Sequence, residues 1–147
     1  MARSFKFYDA PGHLIRRAQQ LAVAIFMEET AGFDVTPVQY AILSALIDDP
    51  GEDQVTLAGR VAFDPATFGS VIGRLEAKGW VQRQADPGDR RLKLVWTTAE
   101  GAALALQMKP AVEKAQQRIV APLTSAEHAQ LMALLGKLIT GHENAKS

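Results

Sequence analysis

Arg90 and Arg91 stand directly after Asp89 in the run Asp86-Pro87-Gly88-Asp89-Arg90-Arg91. A carboxylate beside two guanidiniums can orient one of them, and an arginine held at a turn suits the narrow minor groove of DNA, where negative potential is strongest. Upstream, Thr67, Ser70, Arg74 and Lys78 fall on one side of a helical pattern. Hydroxyls and guanidiniums there could read base edges in a major groove, which is wide enough to admit a helix. Lys78, Arg83 and Lys93 are candidate phosphate contacts, of the kind that positions a protein on a duplex. A second set lies near the N-terminus. His13, Arg16 and Arg17 share a polar stripe with Gln20, and with Tyr40 they could hold an aromatic carboxylate by charge-assisted hydrogen bonds. Solvated or intersubunit charges are the plainer reading of that stripe.

Other chemistries find no support. The three histidines, His13, His128 and His142, are far apart, and no paired-His spacing suggests a metal site. Ser44, Ser70 and Ser125 lack a nucleophile elbow, and no glycine-rich phosphate loop follows a strand. The chain has no cysteine, which excludes a thiol switch, a disulfide framework and a Cys-based zinc site. No catalytic residue, metal or cofactor is therefore expected, and the protein is not expected to be an enzyme. Apolar stretches are interrupted well short of a membrane span and no signal peptide is evident, so a cytoplasmic location is expected.

The elements that would position these residues are legible from caps and periodicity. Asp64 is a good N-cap with Pro65 at the first helical position, and Phe68, Val71, Ile72 and Leu75 form one apolar face of a helix to about Lys78, where Gly79 can end it. The other face carries Gly69 and Gly73 among its polar residues. Glycine costs about 1 kcal/mol in a helix interior, so close approach to DNA or to a neighbouring element must justify it. Trp80–Arg83 and Arg91–Trp96 read as strands joined by the Asp86–Asp89 turn, with Leu92, Leu94 and Trp96 on one side and Arg91, Lys93 and Val95 on the other. Before this module, Thr56 is expected to cap a short supporting helix to about Ala62, following a polar turn at residues 48–53.

Further out, a long helix is expected from Pro11 to about Thr30, with Leu14, Ala18, Leu21 and Ile25 along one stripe. Thr36 and Gln39 form a capping box for a second helix to about Ile47. After the hairpin, Thr97 to Glu100 reads as another capping box, opening a helix that Pro110 should kink. Thr124 and Glu127 make a third box, for a last helix bearing Leu131, Leu134, Leu135, Leu138 and Ile139. The aromatic tail of residues 1–10 should pack on a neighbour. Three apolar stripes in a chain of 147 residues are better covered by a second copy than by the chain itself.

Formal net charge is zero, which by itself argues against a nucleic-acid partner. The distribution points the other way. Residues 54–96 hold seven basic side chains against four acidic ones, a net +3 on an otherwise acidic frame. A basic module of that kind is expected when one face meets DNA.

Asp64-Pro-Ala-Thr67, Arg74-Leu75-Glu76-Ala-Lys78-Gly79-Trp80-Val81, Asp86-Pro87-Gly88-Asp89-Arg90-Arg91 and Thr97-Thr98-Ala-Glu100-Gly101 together resemble the core signature of the MarR family of bacterial transcription regulators. The resemblance implies a mainly α fold with a small β-hairpin wing: a winged helix-turn-helix at 36–96, and a helical dimerisation region at 1–35 and 97–147. It further implies a homodimer on a pseudo-palindromic operator of double-stranded DNA, usually a repressor released by a small phenolic or aromatic acid effector. The recognition helix would be about 65–79, with Thr67, Ser70 and Arg74 as readers and Arg90 entering the minor groove under the steering of Asp89. Gly69 and Ser70 stand where many relatives carry Ser and a larger polar or basic residue. In the family the effector lies in a cleft walled by the first helix. Pro11-Gly-His-Leu-Ile-Arg-Arg and Thr36-Pro-Val-Gln-Tyr40 resemble regulators of aromatic or heteroaromatic acid breakdown, which implies effector contacts at His13, Arg16, Arg17 and Tyr40. The lack of cysteine sets the chain apart from the family's peroxide sensors. The alternative reading is a winged-helix module that binds protein without sequence-specific DNA binding.

Overall fold

The computed structural model of the protein describes residues 4–145; the first three residues of the aromatic tail lie outside it. A single 3-10 turn (Phe7–Asp9) precedes α1 (Pro11–Glu29) and α2 (Pro37–Asp48). Then come β1 (Glu52–Asp53), α3 (Gln54–Arg60), α4 (Pro65–Ala77), β2 (Val81–Ala85), β3 (Lys93–Thr97), α5 (Ala99–Val120) and α6 (Ser125–Ala145). This is the expected mainly α architecture with a small β wing, with one addition. Part of the polar turn at 48–53 forms a third strand, so the sheet order is β1-β3-β2 and all pairs are antiparallel. No described helix is long and apolar enough to cross a membrane.

Helix starts follow local hydrogen-bond chemistry. Thr36 and Gln39 exchange side-chain and backbone bonds at 3.1 and 3.2 Å, and Thr124 and Glu127 do the same at 2.9 and 3.2 Å. Asp64 accepts from the Ala66 N–H at 3.2 Å, with Pro65 at the first helical position. Two caps differ from the sequence expectation. α3 is capped by Asp53, which accepts the Thr56 N–H at 2.9 Å and the Thr56 hydroxyl at 2.6 Å; Thr56 lies within the first turn. A carboxylate is the better acceptor at the positive end of a helix, and the bonds from Thr56 hold the Asp53 carboxyl below its ordinary value. α5 is capped by Thr98 rather than Thr97. The Thr98 hydroxyl accepts from Gly101 N–H at 3.0 Å while donating to the Gly79 carbonyl at 2.6 Å. Gly101 is required there, because a Cβ would stand 2.1 Å from the Trp80 carbonyl oxygen. α5 then runs unbroken through Pro110.

The chain forms two compact units. One is Phe26–Glu113; the other joins the segment up to Ile25 with the chain from Lys114 onward. The first is wider than residues 36–96, because Phe26, Val35 and Met108 form a small core of their own and Ala105 joins the main one. That main core is Ile42, Leu43 and Leu46 from α2, Leu57 and Ala58 from α3, Phe68, Ile72 and Leu75 from α4, with Val81 and Val95 from the sheet. β3 is the central strand, and Val95 is its fully buried residue. Leu94 and Trp96 are only half-buried, and Leu92 lies exposed outside the strand. The apolar side of the alternation is thus not the side that meets α4. Trp96 instead covers the turn at Gly51, whose Cβ would come within 3.0 Å of its indole nitrogen.

The second unit is built differently. α6 buries no residue, and Leu134, Leu135, Leu138 and Ile139 are exposed, as are Leu14, Ile15 and Leu21 of α1. The aromatic tail finds a partner inside the chain: Phe7 and Tyr8 flank His13, with ring centroids 5.4 and 5.3 Å away.

Candidate nucleic-acid interface

α4 separates its faces cleanly. Phe68, Ile72 and Leu75 are fully buried, while Thr67, Ser70 and Arg74 are exposed. Burial of one face orients the other, since i, i+3 and i+7 positions share a side of a helix. The Thr67 hydroxyl donates back to the Asp64 carboxylate at 3.3 Å, and the Ser70 hydroxyl donates to the Thr67 carbonyl at 2.8 Å. Their oxygen lone pairs are thereby left as acceptors, while Arg74 offers only donors.

The wing turn is closed by its own polar groups. Asp86 accepts from the Gly88 N–H at 2.8 Å, and backbone bonds at 2.9 Å link Asp86 with Leu92 and Leu92 with Asp89. The Asp89 carboxylate takes Arg91, not Arg90. It accepts from Arg91 Nε at 3.0 Å, from Nη2 at 3.1 Å and from the backbone N–H at 3.1 Å. A two-residue spacing lets the guanidinium fold back on the turn. The pair lowers the Asp89 carboxyl and raises the Arg91 guanidinium from their ordinary values. The expected steering of Arg90 by Asp89 is therefore corrected: Arg91 is the oriented arginine, and Arg90 is exposed beside it. Lys93 is exposed at the start of β3.

Two expected phosphate contacts are engaged inside the module. Lys78, the C-cap of α4, donates to the Asp34 carbonyl at 3.1 Å and lies 4.6 Å from the centre of a Trp80 ring. Arg83 is half-buried and donates to Glu76 at 3.0 Å, with its Nη2 paired 2.8 Å from the same carboxylate, to Gln54 at 3.2 Å and to the Gly69 carbonyl at 3.3 Å. The two glycines of α4 face this cluster. A Cβ on Gly69 would stand 3.2 Å from Gln54 Nε2, and one on Gly73 would stand 3.7 Å from Arg83 Nη2. Packing against Gln54 thus gives Gly69 a reason without DNA, whereas a methyl at Gly73 would make only an ordinary contact. Sequence reasoning missed Gln54 and Asp34, which have no local signal, and treated Glu76 only as a charge.

The candidate effector residues fall in different units. Tyr40 lines a cavity of about 390 Å³ in the larger unit, with Ser44, Ile47 and Asp48 of α2 and Ala102, Ala105 and Lys109 of α5 among its neighbours. Burial, reinforced by the charge of Glu113, raises the phenol above its ordinary value, so it remains an O–H donor at neutral pH. His13, Arg16 and Arg17 belong to the other unit. The His13 Nδ1 is buried and has no hydrogen-bond partner among the described residues, whereas both arginines are exposed. Among the described residues no group of three or more His, Asp or Glu side chains could hold a metal ion.

Comparison with known proteins fits this geometry. The MarR family model matches residues 35–93. The HTH-type transcriptional repressor NicR of Pseudomonas putida is 37% identical over 134 residues, covering 91% of this chain and 85% of NicR. Among solved structures, Bordetella bronchiseptica BpsR, described in terms of regulation of its DNA binding by 6-hydroxynicotinic acid, superposes with a TM-score of 0.87 at 36% identity. That match covers 92% of this chain and 97% of BpsR. A mutant Escherichia coli MarR complexed with operator DNA superposes with a TM-score of 0.83 at 30% identity, over 92% of this chain and 99% of that one. With its capped recognition helix, its closed wing and these relatives, the chain belongs to the MarR family.

Proposed function

We propose that the protein is a homodimeric transcription repressor that binds a pseudo-palindromic operator and is released by a small aromatic or heteroaromatic acid. The observation that carries the reading is the outward face of α4, where Thr67, Ser70 and Arg74 are exposed directly over a fully buried Phe68, Ile72 and Leu75. A helix so anchored can be pressed into a major groove without losing its core. Arg90, Arg91 and Lys93 on the wing supply contacts to the flanking backbone and minor groove. Lys78 and Arg83 are left out of this contact set because each is already drawn to an acidic partner within the module, Lys78 to Asp34 and Arg83 to Glu76. Two copies related by a two-fold axis would place two such helices about one turn of DNA apart.

For the effector, the chemistry of the relative BpsR suggests a hydroxylated pyridine or benzene carboxylate. Tyr40, in the cavity of the larger unit, would donate to a ring substituent or carboxylate oxygen of the acid. Release requires that the acid bind the non-DNA-binding state more tightly, since equal affinity for two states shifts nothing.

The test is binding of the purified protein to the DNA flanking its own gene, at two salt concentrations, with and without a panel of acids that includes 6-hydroxynicotinic acid. Tight, steeply salt-dependent binding relieved by one acid is the expected result. Binding no better than to random DNA would overturn the DNA-reading assignment. Tight binding that no acid relieves would overturn the effector assignment alone.

A further inference from the structure

We infer that Arg83 is a positioning residue, which locks the wing to the recognition helix and thereby sets operator discrimination without touching DNA. The inference rests on the reading that α4 and the wing contact DNA together. Arg83 lies on β2, and its guanidinium bonds to three places on two other elements: Glu76 near the end of α4, the Gly69 carbonyl two turns earlier on the same helix, and Gln54 at the start of α3. The planar fork suits this task, because it can hold several acceptors in fixed directions at once. β2 in turn pairs with β3 with Arg83 opposite Val95, so fixing Arg83 fixes the base of the hairpin.

Gly69 of α4 completes the device, because a Cβ there would stand 3.2 Å from the Gln54 amide nitrogen. The helix accepts a poor helix former at this position so that the clamp can lie against its backbone. The charge of Arg83 is met by Glu76 within the module. Little of it remains for a phosphate, and its loss should alter geometry rather than counterion release.

Salt dependence separates the two roles, since each phosphate contact contributes about 0.9 to the slope of log affinity against log salt. The affinity of wild-type protein for operator and for random DNA is measured first; failure to distinguish them would break the DNA-reading assignment itself. Arg83→Lys keeps the charge and gives up the fork. It is expected to weaken operator binding about tenfold, with random-DNA affinity and salt slope as in wild type, at a temperature where melting curves show every variant folded. Arg83→Gln is expected to keep the wild-type slope as well. Glu76→Gln should lower the operator-to-random ratio, and combined with Arg83→Lys it should lower it no further than the stronger single change. Gly73→Ala, whose added methyl would make only an ordinary contact with Arg83, should retain operator affinity. Wild-type operator affinity in Arg83→Lys, or a slope reduced by one phosphate contact in Arg83→Gln, would overturn the inference.

Discussion

The unit Phe26–Glu113 and the terminal helices solve the same problem in opposite ways. The first covers its apolar surface from within: α2, α3, α4 and the sheet all contribute residues with no exposed surface. Its ion pairs are likewise closed locally, as with Arg83 on Glu76, Arg91 on Asp89, and Arg60 on Glu52 and Asp49. The terminal helices leave leucines on both α1 and α6 open to solvent. A helix with a wide apolar face and no intrachain cover is an interface in waiting. The difference teaches that DNA-reading geometry is a property of one chain, whereas its duplication across two half-sites depends on association. A point change in the reading module should alter contacts or stability, and a point change on α6 should alter the number of reading heads.

The largest expected effect comes from breaking the association. Leu135→Asp with Leu138→Asp, on the exposed stripe of α6, should give monomers in sedimentation while leaving the fold of the reading module intact. Operator affinity should fall by orders of magnitude, because the second half-site is lost. Dimers that persist in this variant would show that the second copy docks elsewhere.

A cavity in the self-contained unit should act on stability instead. Phe68→Ala removes a fully buried ring from the centre of that core and should cost about 3–5 kcal/mol in denaturant melts. A loss well below 1.5 kcal/mol would mean that the module is less tightly closed than its burial indicates.

Arg74→Ala sharpens the contrast from the solvent side. Arg74 is exposed on α4, so unfolding should be nearly unaffected while discrimination between operator and a mismatched site falls by about 1–3 kcal/mol. Equal loss on all sequences would assign Arg74 to the backbone rather than to a base.

The smallest effect concerns the Asp53 cap. Asp53→Ala should cost about 1 kcal/mol at neutral pH, the ordinary value of an N-cap. Because the bonds from Thr56 hold the folded carboxyl below its ordinary value, the stability it lends is present above that ordinary value and is lost as pH falls through the lower folded value. The difference between wild type and Asp53→Ala should therefore shrink in acid. A gap that stays constant to pH 3 would rule out the ionised cap.

Much of this was readable from local signals. The Thr36–Gln39 and Thr124–Glu127 boxes, the Asp64-Pro65 start and the periodicity of Phe68, Ile72 and Leu75 each rest on contacts within a few residues, so the sequence carries them nearly whole. Thr56 and Thr97 do not cap, for the same reason read in reverse: neighbouring residues, Asp53 and Thr98, offer a better acceptor or a second partner, and a shift of one to three residues decides the first turn. The strand at Glu52–Asp53 has no pattern of its own and exists because β3 offers it an edge.

The chain by itself determined which residues could read DNA, since exposed Thr67, Ser70 and Arg74 follow from the burial of their helix's other face. Only the tertiary structure decided which cations are available for that work. Arg83 and Lys78 look like the wing cations as charges in a sequence, but their guanidinium and ammonium groups are drawn to Glu76 and Asp34. Both partners lie on another element or distant along the chain, and hydrogen bonds at about 3 Å are settled by where the backbone brings acceptors together, which periodicity does not encode.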